Sequence, residues 1–242
     1  MLEKEEFGSK ELEMFVEDLK STHGKNLAAV ILYGSATTGE FKRGVSDYDL
    51  IIALHKITPE DLLLAHAAVR EWQKLGHRPP AYFTVSELIT SSDVFPIELY
   101  QMKKSRVVLF GDDILADVEV SDKNLRHQIE YELRGKLIRL RKLYVSAYGS
   151  AERLSELMVR SVSSFITLLR ASLILLGIDP PVKKRDVVEI ASKHLQINKE
   201  PFLKILEMRD REKEYDDVLL NQLFAAYMKE IESFVMQIDK MD

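Results

Sequence analysis

The stretch "ILYGSATTGEFKRGVSDYDLIIAL", Ile31 to Leu54, sets two apolar runs on either side of a Gly-Ser turn and a polar excursion. The first run starts at Asn26 as "NLAAVILY" and ends at Gly34-Ser35; the second, "YDLIIALH", covers Tyr48 to His55. Both are short, apolar and rich in β-branched residues, the composition of buried strands. Two aspartates, Asp47 and Asp49, stand one residue apart at the mouth of the second run. Eleven residues separate Ser35 from Asp47, too few for the helical crossover of an ordinary parallel pair, so an antiparallel or locally looped pairing is predicted. That pairing puts the end of the first strand beside the start of the second. Strand side chains alternate, so Asp47 and Asp49 face one way and Tyr48 the other.

An unpaired carboxylate in an apolar setting costs several kcal/mol, and two of them about 4 Å apart also repel by about 1 kcal/mol in water and by more at a lower effective dielectric. A hard divalent cation reverses that sign. Oxygen-only ligands suit magnesium, which keeps several waters and is completed by substrate phosphates. Gly34 lets the backbone approach a phosphate closely, and the Ser35 hydroxyl and neighbouring N–H groups can donate to its oxygens. Ala36 to Phe41 are expected to form a short helix whose N-terminus favours an anion. A Gly-Ser turn alone, or an Asp-x-Asp alone, is usually solvated surface. Their convergence in a strand-turn-strand context points to a phosphate and metal site.

Working outward, the spacing Leu12, Phe15, Val16, Leu19 predicts an amphipathic helix from Ser9 to about Thr22, stopped at His23-Gly24. Thr58 as N-cap and Pro59 at the first helical position open a second helix that runs to Gly76. "AYFTVSEL", Ala81 to Leu88, reads as a third strand and "RVVLF", Arg106 to Phe110, as a fourth. From Asp122 onward the period becomes 3.6: Leu125, Ile129, Leu133, Leu137, Leu140, Tyr144 and Tyr148 line one face of a long helix. Leu154 to Leu176 is apolar on most faces and reads as the central helix of a bundle. Shorter helices are predicted near Asp186 to His194, Glu200 to Met208 and Asp217 to Met236. The fold class is therefore α+β: a small mixed β-sheet domain over residues 1–118, followed by an all-α helical bundle over residues 119–242.

Composition narrows the function classes. The 242 residues include no cysteine, which excludes disulfides and thiolate metal sites. The acidic, amphipathic start lacks the features of a signal peptide, so a cytoplasmic setting is expected. "FITLLRASLILLG", Phe165 to Gly177, is interrupted by Arg170 and falls short of the roughly 20 apolar residues of a membrane span. Residues 1–118 carry a net charge of -6 and residues 119–242 one of +1, which offers nucleic acid no general field.

The segment "GSATTGEFKRGVSDYDLIIAL" resembles the Gly-Ser, Asp-x-Asp signature of the DNA polymerase β-like nucleotidyltransferase superfamily, and Ser46 before Asp47 suits its small-residue pattern. The resemblance covers about Asn26 to Gly111. The helical part is similar to the substrate-binding bundles of kanamycin nucleotidyltransferase-like and HEPN-like proteins. What this implies is transfer of a nucleoside monophosphate from an NTP, ATP above all, to an acceptor, with release of pyrophosphate. Gly34 and Ser35 would hold the triphosphate, and Asp47 and Asp49 would bind magnesium. The acceptor would be a small molecule or a protein, with no membrane involved and with a homodimer left open.

Catalysing members usually add a third carboxylate on a later strand. The matching strand here is "AYFTVSEL", whose middle, Tyr82 to Thr84, holds no acid. Three readings stay open: the third acid is Glu87 or Glu98, the site works with two carboxylates and a base from the helical domain, or the protein binds nucleotide without turning it over. Lys42 and Arg43 could reach phosphates. Arg134, Arg139, Arg141 and Lys142 read as a charged helix face balanced by Glu130 and Glu132. An acidic group at Glu212, Glu214, Asp216 and Asp217 would suit a cationic acceptor. His127 and His194 have no partner at metal spacing, and the helical part lacks the Arg-x4-6-His pattern of HEPN ribonucleases.

Overall fold

The computed structural model describes residues 10–37, 48–210 and 216–241. The chain divides into two compact units, Met1–Ser121 and Asp122–Asp242. In the first, helix α1 (Lys10–His23) leads into strand β1 (Leu27–Tyr33), a tight 3-10 turn (Gly34–Thr37) and strand β2 (Asp49–Leu54). Helices α2 (Pro59–Leu64) and α3 (His66–Lys74) carry the chain to β3 (Ala81–Thr84). Helices α4 (Val85–Thr90) and α5 (Pro96–Lys104), strand β4 (Arg106–Gly111) and a 3-10 turn at Ile114–Asp117 complete the unit.

The described strands form one mixed sheet in the order β3-β2-β1-β4. β1 is antiparallel to both β2 and β4, and β2 is parallel to β3. Both faces are covered, which is why β1 and β2 read as near-continuous apolar runs rather than alternating ones. On one face Val30, Leu32, Leu50 and Ile52 pack with Leu12, Phe15 and Leu19 of α1 and Trp72 of α3. Phe15 and Trp72 stack with centroids 4.5 Å apart, and the Trp72 indole N–H donates to the Arg78 carbonyl at 2.9 Å. On the other face Ala29, Ile31, Ile51 and Ala53 pack with Leu88, Leu99, Ile114 and Leu115.

Two expected elements differ from those observed. The single helix expected from Pro59 to Gly76 is split at Ala65, whose N–H turns to the Leu63 carbonyl before the ladder resumes at Val69. The third strand stops at Thr84 instead of Leu88, because Thr84-Val85-Ser86-Glu87 forms a reciprocal capping box: the Thr84 side chain accepts from the Glu87 N–H, and the Glu87 carboxylate accepts from the Thr84 N–H. Four residues read as strand thereby begin α4. The box satisfies two donors at the helix start that would otherwise lack partners, and this outweighs the strand propensity of Val85.

In the second unit α6 (Asp122–Ala147), α7 (Ala151–Leu175), α8 (Lys184–His194), α9 (Glu200–Arg209) and α10 (Asp217–Asp239) form a helical bundle. α7 is its centre, packed against the other four. It is long and apolar enough to cross a membrane by composition, yet Met158, Val162, Phe165, Leu169 and Leu173 are buried within the bundle, as expected of a core helix. The Tyr227 hydroxyl of α10 sits 3.2 Å from the Ser161 hydroxyl of α7, so the buried phenol has a polar partner.

Candidate active site

The corner where β1 ends and β2 begins is built by backbone register. Tyr33 is the pairing partner of Asp49, and on its other side Tyr33 pairs with Arg106 of β4. Directly paired residues share a face, so Asp49, Tyr33 and Arg106 form a row across one side of the sheet. Tyr48 turns to the opposite side, its ring 5.9 Å from that of Trp72. The alternation expected from the sequence holds for this pair.

Gly34 follows Tyr33 with φ +76, in the left-handed region that a side chain disfavours. A Cβ at Gly34 would lie 2.8 Å from Asp49 Oδ2, closer than real Cβ atoms stand to an oxygen. Glycine is therefore required twice, once by conformation and once by the carboxylate pressed against its Cα. The Gly34 N–H donates to the Ser105 carbonyl at 3.3 Å, tying the turn to the start of β4. The buried Thr37 hydroxyl donates to the Gly34 carbonyl at 2.9 Å and closes the turn from the far side. Ser35 lies within this 3-10 turn.

Burial, and then the negative charge of Asp49, push the Tyr33 phenol above its ordinary pKa. Arg106, at the other end of the row, is engaged by a bidentate pair to Asp113, at 2.7 Å for both Nε and Nη2, and its Nη1 donates to the Lys103 carbonyl. It braces the loop after β4.

Asp47 falls outside the described residues, as do Lys42, Arg43 and the part of the expected helix beyond Thr37. Among the described residues no group of three His, Asp or Glu side chains is placed to hold a metal ion. What the described corner offers a cation is one carboxylate, an oxygen donor suited to magnesium, beside a bare glycine Cα that leaves room for no Cβ. That much fits the group.

Neither third-acid candidate joins Asp49 in a metal-holding group among the described residues. Glu87 is committed to the Thr84 capping box, an exposed structural role. Glu98 is exposed in the first turn of α5. Extending the parallel β2/β3 register by two residues brings Pro79 level with Asp49, and proline supplies neither charge nor N–H. The basic side chains of α6 are largely paired: Arg134 with Glu130 and Asp239, Arg141 with Glu232, Lys136 with Glu132. Glu212 and Glu214 lie outside the described residues, and Asp216 caps α10, accepting from the Leu219 N–H at 2.8 Å.

Tyr33 and Thr37 were not singled out from the sequence. Tyr33 reads as the last residue of an apolar strand, and only the register makes it the neighbour of Asp49. Thr37 carried a usable signal, since a threonine three residues after a turn glycine commonly bonds back to its carbonyl.

Comparison with known proteins agrees with the geometry. Residues 12–107 match the model of the nucleotidyltransferase domain family. None of the curated proteins matches the chain significantly. Among solved structures it is similar to the spectinomycin adenyltransferase of Enterococcus faecialis, determined with ATP and spectinomycin, with a TM-score of 0.57 and 11% identity over 96% of this chain and 99% of that one. At that identity the likeness is one of fold: a small mixed sheet followed by a helical bundle.

Proposed function

We propose that this nucleotidyltransferase-domain protein moves a nucleoside monophosphate from an NTP, ATP in the first instance, to a hydroxyl or phosphate of a small-molecule or protein acceptor. The acceptor oxygen attacks the α-phosphorus, the bond from that phosphorus to the bridging oxygen breaks, pyrophosphate leaves, and a hydroxyl acceptor gives up its proton to solvent. The observation that carries the reading is the apposition of Gly34 and Asp49: a left-handed glycine at the end of β1 stands against a carboxylate at the start of β2. The family match over residues 12–107 supports it.

In this reading the Gly34-Ser35 turn binds the triphosphate through its backbone and the Ser35 hydroxyl. Asp47 and Asp49 would hold magnesium, which when bound neutralises charge on the phosphates and the attacking oxygen. Tyr33 stands beside Asp49 on the same face of the sheet. The helical unit would contribute to holding the acceptor.

A second reading, nucleotide binding with weak or no turnover, is favoured by one observation: Glu87 is spent on a capping box. One titration and one assay separate the two. Calorimetry with magnesium and a nonhydrolysable ATP analogue should give saturable binding, and no heat at millimolar ligand would falsify both readings. Pyrophosphate release with ATP, magnesium and candidate acceptors, lost in Asp49→Asn, supports transfer; binding with no release across NTPs and acceptor classes selects the second reading.

A further inference from the structure

The helical unit contains a groove of about 610 Å³ between α6 and α7, within the roughly 300–1,000 Å³ typical of small-molecule sites. We propose that it binds an organic anion with an apolar body, a medium-chain carboxylate being the simplest example. Its apolar lining includes the buried Leu140 and Phe165, together with Leu143 and Leu157. Four cations, Lys136, Arg139, Arg153 and Arg160, line it against a single acid, Glu156.

The way these cations are partnered distinguishes the groove from the rest of α6. On the side of that helix facing α10, Arg134 and Arg141 each reach an acid across the helix pair, Asp239 at 3.0 Å and Glu232 at 2.7 Å. In the groove no cation meets an acid on the opposite helix. Arg160 pairs with Glu156 one turn before it on α7, and Lys136 with Glu132 one turn before it on α6. Arg153 reaches only the Ser146 carbonyl, at 3.4 Å. Arg139 makes no hydrogen bond or ion pair among the described residues. Arg139 and Arg153 line the same apolar groove and share no carboxylate, so an anionic head group would supply the missing opposite charge while its apolar body displaces water from the leucines.

The serines do not compete for this ligand. Ser161 donates to the Met158 carbonyl and Ser164 to the Ser161 carbonyl. Recognition therefore rests on charge at the rim and area on the floor, so head and body must occur in one molecule. Occupancy of the groove is read without nucleotide, so the test does not depend on nucleotidyl transfer.

The test is calorimetry on the full chain with three probes: decanoate, decyltrimethylammonium, which has the same body and the opposite charge, and acetate, which has the same head and no body. Decanoate is expected to bind at least tenfold more tightly than either of the others. The double variant Arg139→Glu/Arg153→Glu, with both changes at exposed positions, should lower decanoate affinity at least tenfold at an unchanged urea midpoint. Should that variant fail to fold, Arg139→Gln is read in its place, with a loss of threefold or more expected. No decanoate heat at millimolar concentration, equal binding of the cationic probe, or undiminished affinity in the variant used would each overturn the proposal.

Discussion

Two acids stand at ends of neighbouring strands in the sheet, and their surroundings assign them opposite work. Glu87 follows β3 by three residues and returns its carboxylate to the backbone of its own chain, accepting the Thr84 N–H at 2.7 Å. Asp49 opens β2 and lies against the Cα of Gly34, a residue distant in sequence and brought close only by strand pairing. The first arrangement is local and closed: donor and acceptor satisfy each other within four residues, and the result is a helix start. The second is non-local and needs a glycine in the left-handed region, a conformation that glycine takes without steric cost and other residues do not.

The strongest way to break this contrast is Asp49→Asn. The change keeps size and removes charge, so transfer should fall by about a thousandfold, of the order expected when a group stabilising charge in the transition state is lost. The urea midpoint should hardly move. Transfer that survives within a few-fold of wild type would place the chemistry away from this corner. Glu87→Gln serves as the matched control, with turnover unchanged.

Gly34→Ala tests the room left for the carboxylate. It places a Cβ 2.8 Å from Asp49 Oδ2 at φ +76, so stability should drop by about 1–3 kcal/mol through strain and displacement, with nucleotide affinity falling too. Gly24, at φ +50 with nothing within 4 Å of its would-be Cβ, isolates the conformational part. Gly24→Ala should cost about 1 kcal/mol, near the left-handed penalty alone. Equal losses at the two positions, read from urea unfolding, would mean that the Asp49 contact carries no weight.

Thr84→Ala addresses the closed member of the comparison. Losing the cap should destabilise the protein by about 1 kcal/mol, leaving nucleotide affinity as it was. A collapse of binding would instead join α4 to the site.

The strands around the site were legible because a sheet covered on both faces demands uninterrupted apolar residues, and "NLAAVILY" and "LIIAL" are such runs. The bundle was legible through its 3.6 period, and α7 through its lack of a polar face. β3 was overextended for a physical reason. "AYFTVSEL" alternates well enough for a strand, but Thr84 and Glu87 carry the spacing of a capping box, and local hydrogen bonding decided the matter. Thr58 was recognised as a cap because Pro59 follows it; Thr84 has no such flag. The parallel pairing of β3 with β2 and the row Asp49, Tyr33, Arg106 depend on register, which no single segment encodes. Asp47, the second acid of the motif, lies outside the described residues, so the Asp-x-Asp pair itself is still a proposal.

The smallest expected effect reads the distance between Tyr33 and Asp49 directly. Burial and then the Asp49 charge raise the Tyr33 pKa above that of an exposed phenol. The folded state therefore holds the Tyr33 proton to higher pH than the unfolded state does. Its contribution to stability is full below the unfolded value near 10 and is lost as pH rises through the folded value. Asp49→Asn removes the second cause and leaves the first, so Tyr33 should ionise at lower pH than in wild type while remaining above its ordinary value. Tyr82, raised to about 12 by burial alone, supplies the internal reference and should not shift. Phenolate absorbance of the folded protein, compared with Tyr33→Phe to assign the transition, measures this. A Tyr33 titration indifferent to Asp49 would separate the two side chains and, with them, the polar corner from the edge that holds it.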